Sequence, residues 1–106
     1  MINKKIHILG ICGTFMGGLA LLARESGYEV SGCDENIYPP MSDHLSEQGI
    51  QIKLGYAVED LPEADVYLVG NALSRGNEAV EYLLSKRVNM LSGPEWLYSS
   101  ILKNKK

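Results

Sequence analysis

A glycine-rich stretch that directly follows a short apolar run constrains the fold of this chain more than any other feature. The apolar run, residues 6–9, ends at Gly10, and four of the nine residues from Gly10 to Gly18 are glycine. Apolar residues then recur at helical spacing from Leu19 until Gly27, a residue type that commonly stops a helix. The sequence therefore predicts a buried parallel strand, a tight turn and a helix, in this order.

The same alternation of strand and helix patterns continues along the chain. Strands are predicted at residues 6–9, 29–33, 50–54, 66–69 and 88–91. The first two helices are predicted from Phe15 or Met16 to Ser26 and from an N-cap at Ser42 to Gln48. The last two are predicted from Asn77 to Ser85 and from a capping box at residues 92–95 to about Leu102. One further helical turn is predicted within residues 57–65. This pattern predicts an α/β fold, a Rossmann-like, doubly wound and mostly parallel five-stranded sheet with helices on both faces. Residues 1–102 form one domain in this interpretation, and residues 103–106 are a basic tail or the cut end of an expressed fragment.

Charge, hydropathy and cysteine content narrow the class of protein. Thirteen acidic residues stand against ten basic ones, and four of the basic residues lie in the first four or last four positions, which leaves an acidic body. Such a body repels a phosphate backbone, so we expect no nucleic-acid partner. No apolar stretch approaches the roughly 20 residues of a membrane span, and no signal-peptide pattern precedes the first strand. A cytoplasmic protein without a membrane partner is predicted, with Cys12 and Cys33 as reduced thiols and no metal site.

The carboxyl ends of the predicted strands are where a doubly wound sheet binds its ligand. After the first strand, glycines allow close approach of the backbone, and free N–H groups of residues 12–16 can bind an anion such as a diphosphate. Asp34 follows the second strand, where such folds place an acid that holds a ribose hydroxyl or a base edge. Tyr38 and Tyr56 follow the second and third strands, and either ring can stack on a base or a sugar. The alternatives are a pure packing role for the glycines and a solvated cap at Asp34.

The segment after the fourth strand reaches the same edge of the sheet. Asn71, Ser74 and Asn77 can donate and accept hydrogen bonds, and Arg75 can approach a phosphate or a carboxylate. Ser74 or Asn77 can instead cap the third helix. We therefore treat this segment as a second group of candidate binding residues.

No catalytic group is predicted within the chain. His7 lies between two isoleucines in the first strand, which favours a packed side chain, and His44 is expected on a solvated helix face. Cys12 near a helix start has no partner base that the sequence identifies. The Walker A pattern G-x-x-x-x-G-K followed by Ser or Thr is absent from the sequence, so no ATP-phosphate lysine is predicted.

The spacing of the glycines leaves two rival interpretations open. A nicotinamide- or flavin-binding regulatory module can use the same sheet. Its fingerprint G-x-G-x-x-G, however, would place a glycine at Cys12, whereas the spacing here is G-x-x-G-x-x-x-G. The other rival is a scaffold whose turn binds nothing. A comparison of dinucleotide binding with nucleoside diphosphate binding distinguishes both rivals from a domain that binds a nucleoside diphosphate.

Several stretches of the sequence resemble the N-terminal domain of the Mur ligase family. They are HILGICGTFMGGLA at residues 7–20, VSGCD at 30–34 and YPPMS at 38–42, with shorter matches at 70–72, 76–78 and 93–97. Within the family, the resemblance favours the ligases of peptidoglycan recycling over those that add L-alanine. The latter usually carry G-x-G-G-x-G-M in the first turn and Gly-His after the third strand. This chain departs from that pattern at Cys12, Phe15 and Tyr56.

The resemblance implies a domain that binds UDP-N-acetylmuramate and contributes no catalytic residue. The full enzyme would join this substrate to L-alanyl-γ-D-glutamyl-meso-diaminopimelate, with ATP and Mg²⁺ held by a central domain and the peptide bound partly by a C-terminal domain. Backbone N–H groups of residues 12–16 would contact the diphosphate, Asp34 the uridine, and residues 71–77 the rest of the ligand. The residues implied in substrate binding are Cys12, Gly13, Thr14, Phe15, Met16, Asp34, Tyr56, Asn71, Ala72, Ser74, Arg75 and Asn77.

Overall fold

Five parallel strands form one sheet, and helices cover both of its faces. In the computed structural model, which describes residues 4–37, 39–70 and 77–101, the strands are β1 (Lys5–Leu9), β2 (Glu29–Asp34), β3 (Gln51–Leu54), β4 (Val66–Val69) and β5 (Met90–Ser92). The helices are α1 (Thr14–Glu25), α2 (Met41–Glu47), α3 (Glu78–Lys86) and α4 (Gly93–Trp96), with a 3-10 turn at Val58–Asp60 and a π-helical turn at Leu97–Ile101. The predicted α/β fold is confirmed. None of the described helices is long and apolar enough to cross a membrane.

The order of the strands, β3-β2-β1-β4-β5, changes direction at β1. The chain first moves outward from β1 to β2 and β3, and it then crosses to the other side of β1 to form β4 and β5. Every pairing is parallel, and His7 of β1 lies beside Ser31 of β2 and Tyr67 of β4. This reversal creates a switch point at the carboxyl ends of β1 and β4, which is where open α/β sheets bind ligands.

The sheet separates two apolar cores. Side chains of successive strand residues point to opposite faces, so Ile8 and Leu9 of β1 belong to different cores. The first core contains Ile6, Ile8, Met16, Leu19, Ala20, Ala23, Leu45 and Trp96, among others, from β1, α1, α2 and α4. The second core contains Leu9, Cys33, Tyr67, Ala79, Val80 and Leu83, the last three from α3. Burial of both faces explains why the two central strands, β1 and β4, are short and mostly apolar runs in the sequence.

Two of the predicted helix starts are built as the sequence indicates. The Asn77 side chain accepts hydrogen bonds from the N–H groups of Ala79 and Val80 at 3.0 and 3.2 Å, so Asn77 caps α3. At α4, Ser92 Oγ accepts from the Glu95 N–H and the Glu95 carboxylate accepts from the Ser92 N–H, which is a complete capping box.

The start of α2 corrects a prediction. This helix begins at Met41, and its N-cap residue is Pro40, so the predicted N-cap at Ser42 is wrong. The reason is that Pro40, at φ −84° and ψ −15°, already has a helical backbone, which places Ser42 inside the first turn.

Other boundaries differ from the predictions by one or two residues. Asp34 is the last residue of β2 and pairs with Leu54. Strand β5 lies at residues 90–92 because these are the residues that pair with β4, and local apolar character does not reveal this register. The last helix changes to π-helical geometry at residue 97, and its predicted end at Leu102 lies outside the described residues.

We expect Asn77→Ala to lower the free energy of unfolding by about 1 kcal/mol, because two N–H groups at the start of α3 lose their acceptor. Urea denaturation of the wild type and of Asn77→Ala measures the difference in the free energy of unfolding. Asn77→Asp is the matched control, since a carboxylate can accept the same bonds and interacts favourably with a helix N-terminus. Equal destabilisation by both substitutions would contradict the capping role.

Candidate functional site

The turn between β1 and α1 is attached to the end of β2 by its backbone. Gly10 has φ +82°, in the left-handed region that favours glycine. The N–H groups of Gly10 and Ile11 both donate to the Cys33 carbonyl, at 2.8 and 3.2 Å. Gly13 then takes an extended conformation as the N-cap of α1. The turn therefore presents the start of α1 at the carboxyl edge of the sheet.

The first turn of α1 keeps three N–H groups unpaired within the described part of the chain. They belong to Thr14, Phe15 and Met16, and the N-cap residue Gly13 has no side chain that could accept from them. Thr14 and Phe15 are exposed, whereas the Met16 side chain is buried in the first core and only its backbone can serve a ligand. A helix start of this kind attracts an anion through its N–H groups and the helix dipole.

The other helix starts are capped or acidic. Helices α3 and α4 are capped by Asn77 and Ser92, and α2 carries Asp43 in its first turn. Among the four α-helices of the described residues, α1 alone has neither a side-chain cap nor an acidic residue in its first turn. The capacity to bind an anion is therefore concentrated at the glycine turn.

Asp34 supports this turn from the end of β2. Its Oδ2 accepts from the Cys12 N–H and its Oδ1 from the Asn36 N–H, both at 3.0 Å, and the residue is buried. The Cys12 N–H is therefore used inside the protein, and Gly13 donates to the Gly10 carbonyl at 3.3 Å. These bonds narrow the predicted diphosphate donors to Thr14, Phe15 and Met16. Each carboxylate oxygen of Asp34 can accept a second hydrogen bond, so its contact with a ligand stays a prediction.

Two thiols and a phenol lie close to Asp34. Burial, followed by the negative charge of Asp34, raises the pKa of Cys33 to about 12. The same two causes raise the pKa of Cys12 and that of Tyr56. All three groups are therefore neutral at neutral pH, and the cysteines are free, as predicted. Neutral thiols are poor nucleophiles, so this cluster shapes the site without supplying a reactive group.

The remaining candidates fall into two groups. Asn71, Ala72, Ser74 and Arg75, like Tyr38, lie outside the described residues. Asn77 is described, and its side-chain oxygen caps α3, so a ligand contact there stays a prediction for its remaining atoms. The residues that the structure does bring together at the carboxyl edge are Cys12, Gly13, Thr14, Phe15, Met16, Asp34 and Tyr56.

The two histidines have the structural surroundings that the sequence predicts. His7 is 2% exposed within β1, its Nδ1 lies 2.8 Å from Ser31 Oγ, and burial lowers its pKa to about 4. Its ring meets the Tyr67 ring edge to face, with the centroids 6.2 Å apart. His44 is exposed on α2. No group of three potential metal ligands occurs among the residues that the structure describes.

Gly93 packs against the candidate site, and the sequence patterns did not indicate this contact. A Cβ atom at this position would lie 2.8 Å from Leu19 Cδ1, 2.8 Å from Met16 Sδ and 2.9 Å from Phe15 Cε2. The absence of a side chain thus lets the start of α4 pack closely against the start of α1. The only signal in the sequence is a glycine directly between a strand and a helix, the same signal that marks the first turn.

Comparison with known proteins identifies relatives along almost the whole chain. The family model described as "Mur ligase family, catalytic domain" matches residues 5–105. The chain is 53% identical over 102 residues to the UDP-N-acetylmuramate–L-alanyl-γ-D-glutamyl-meso-2,6-diaminoheptandioate ligase of Escherichia coli K12, an alignment that covers 95% of this chain and 22% of that enzyme. It is 35% identical over 105 residues to a UDP-N-acetylmuramate–L-alanine ligase of Clostridium acetobutylicum, covering 99% of this chain and 22% of the relative.

A solved structure gives the same assignment. The murein peptide ligase of Psychrobacter arcticus superposes with a TM-score of 0.92 at 49% identity, over 97% of this chain and 22% of that protein. The chain thus spans about a fifth of the length of these relatives. Its identity to the tripeptide ligase exceeds its identity to the L-alanine ligase, in agreement with the predicted branch of the family. Sequence and structure together show that the chain belongs to the Mur ligase family.

Proposed function

We propose that this chain is the N-terminal, UDP-N-acetylmuramate-binding domain of an ATP-dependent ligase of peptidoglycan recycling. The whole enzyme would join that substrate to L-alanyl-γ-D-glutamyl-meso-diaminopimelate through an amide bond. The observation that carries the proposal is the 53% identity to the E. coli ligase over 95% of this chain. Residues 1–102 form the domain in this proposal, and the protein acts in the cytoplasm.

The chemistry of bond formation is proposed to reside outside this chain. ATP would phosphorylate the muramoyl carboxylate and leave as ADP, and the amine of the tripeptide would then attack the acyl phosphate, which forms the amide bond and releases phosphate. A central domain would hold ATP and Mg²⁺, and a C-terminal domain would help to bind the tripeptide. This assignment agrees with the sequence, which has no Walker A lysine.

The task of this domain is to anchor the UDP end of the substrate. The diphosphate would lie at the start of α1, where the N–H groups of Thr14, Phe15 and Met16 are unpaired in the described structure. Asp34 and Tyr56, at the ends of β2 and β3, would contact the uridine on one side of the turn. The predicted contacts of residues 71–77 would complete the site on the other side.

Calorimetry on the 106-residue chain tests the proposed anchor. We expect UDP and UDP-N-acetylmuramate to bind and NADH and ATP not to bind at matched concentrations. Binding of NADH without binding of either UDP compound would overturn the proposal in favour of a dinucleotide-binding module. The relatives found by comparison are named as ligases, which disfavours both rival interpretations, the dinucleotide-binding module and the scaffold that binds nothing.

The role of Asp34 has its own prediction. We expect Asp34→Ala to weaken UDP binding by about tenfold or more, because a charge-assisted hydrogen bond to the nucleoside is lost. Calorimetry with inorganic pyrophosphate is the control, since pyrophosphate has the anion and lacks the nucleoside. A loss for UDP alone supports the contact with uridine. Equal losses for both ligands would show that Asp34 acts only through its bond to the Cys12 N–H. Unchanged UDP affinity in a folded variant would contradict any role in binding.

A further inference from the structure

We propose that Phe15 is the surface on which the amino sugar of the UDP-sugar packs, an assignment that rests on the proposed function. Its side chain is 49% exposed and lies in the first turn of α1, among the N–H groups proposed for the diphosphate. A sugar joined to that diphosphate would lie within a few ångströms of the turn. An exposed aromatic ring at this place therefore offers the sugar an apolar contact.

The direction in which Phe15 extends supports this assignment. In the sheet order β3-β2-β1-β4-β5, Asp34 ends β2 and Tyr56 follows β3 on one side of β1, and β4 and β5 lie on the other. The Phe15 ring reaches toward β5, because its Cε2 would lie 2.9 Å from a Cβ atom at Gly93, the first residue after that strand. A ligand with its nucleoside at Asp34 and its diphosphate at α1 therefore has its sugar on the side of Phe15.

The surroundings of Phe15 also suit a stacking contact. Gly93 is buried, and the absence of a side chain there leaves room for the edge of the Phe15 ring against the start of α4. The neighbouring Met16 and Leu19 also lie close to Gly93, so this edge of the ring is supported by the first core. The exposed part of the ring faces solvent, and its π-electron face attracts the C–H groups on the apolar side of a pyranose.

The contact distinguishes the sugar from the rest of the ligand. UDP alone reaches the N–H groups of α1 and Asp34 but has no group that can cover the ring. UDP-N-acetylmuramate adds the sugar and should gain affinity from Phe15. The ratio of the two affinities therefore isolates the contribution of this side chain from that of the anion site.

Calorimetry on the wild-type chain and on Phe15→Ala tests the proposal. We expect the alanine variant to bind UDP-N-acetylmuramate about tenfold more weakly, while its affinity for UDP stays within about twofold of wild type. Phe15→Tyr preserves the ring and should retain the wild-type affinity for both ligands. Leu84→Ala is the matched control, because Leu84 is 51% exposed on α3 and belongs to neither core.

Three outcomes would overturn the assignment. The first is an unchanged affinity of Phe15→Ala for UDP-N-acetylmuramate. This result would show that the ring does not contact the sugar and contacts another part of the protein instead. The second is an equal loss for both ligands, which would show that Phe15 only shapes the anion site. The third is failure of the wild-type chain to bind either ligand, which would overturn the proposed function itself. Thermal denaturation of each variant establishes that the binding data come from folded protein.

Discussion

Gly32→Ala is expected to destabilise the domain by about 3 kcal/mol, because an added methyl group has no space at this position in β2. Its Cβ atom would lie 2.5 Å from Ile11 Cδ1, 2.7 Å from Ile11 Cβ and 2.7 Å from the Ile8 carbonyl oxygen. The carbonyl belongs to the central strand and cannot move without disturbing the pairing of β1 with β2. Ile11 lies in the glycine turn, so the substitution also displaces the proposed binding site.

Urea denaturation of Gly32→Ala and Gly18→Ala separates this crowding from the general effect of replacing a glycine. Gly18 is exposed in α1, and a Cβ atom there would meet nothing within 4 Å. Alanine favours the helix, so Gly18→Ala should stabilise the domain by about 0.5–1 kcal/mol. The expected changes thus have opposite signs. A loss of less than about 1 kcal/mol for Gly32→Ala would contradict the tight contact between β2 and the turn.

The second large effect is a loss of stability on acidification that depends on His7. Burial lowers the pKa of this histidine in the folded state from 6.5 to about 4. Above pH 6.5 the side chain is neutral in both the folded and the unfolded chain, so the free energy of unfolding carries no penalty from His7 there. Between pH 6.5 and 4 the unfolded chain binds a proton that the folded chain does not, and stability falls. The loss reaches about 2 kcal/mol at pH 5 and about 3 kcal/mol near pH 4.

The structure supplies a physical reason for this shift. His7 is enclosed between Ser31 and Tyr67, and its Nε2 is buried without a hydrogen-bond partner among the described residues. Burial causes the lowered pKa, and no carboxylate among the described residues compensates for a charged ring. Protonation would therefore place an unsolvated charge beside the central strand.

Denaturation curves at pH 7 and pH 5 measure this effect. His7→Phe removes the titrating group, so its stability should change less between the two pH values than that of the wild type by about 2 kcal/mol. His44→Gln, at the exposed histidine of α2, should retain the wild-type difference. Because the readout is a difference between two pH values, any loss of stability caused by the phenylalanine itself cancels. Identical pH dependence in wild type and His7→Phe would refute the prediction.

Features encoded by local patterns were predictable from the sequence. The apolar run at β1, the tight turn after it and the capping box at Ser92 each depend on a few adjacent residues, and the structure contains all three. The boundaries of β5 were less predictable, because its pairing with β4 depends on residues more than 20 positions away. The predicted start of α2 was wrong because serine is a common N-cap residue type, whereas the backbone is already helical at Pro40, two residues before Ser42.

The candidate site was predictable in its position but only partly in its chemistry. The switch-point rule placed the glycine turn and Asp34 at one edge of the sheet, and the structure joins them by a hydrogen bond. The sequence alone could not show that this bond uses the Cys12 N–H, because the contact depends on how β2 lies against the turn. The close approach of Gly93 to Phe15 was missed for the same reason, since it joins residues 78 positions apart.

The uncapped first turn of α1 would give the proposed ligand a part in the architecture of the domain. In α3 and α4, a side chain of the protein supplies the acceptor that completes the helix. In α1 the substrate diphosphate would fill that place, so the helix and its ligand would form one hydrogen-bonded unit. Binding of the ligand would then order the glycine turn. A neighbouring domain could respond to the bound substrate through contact with the backbone of this turn.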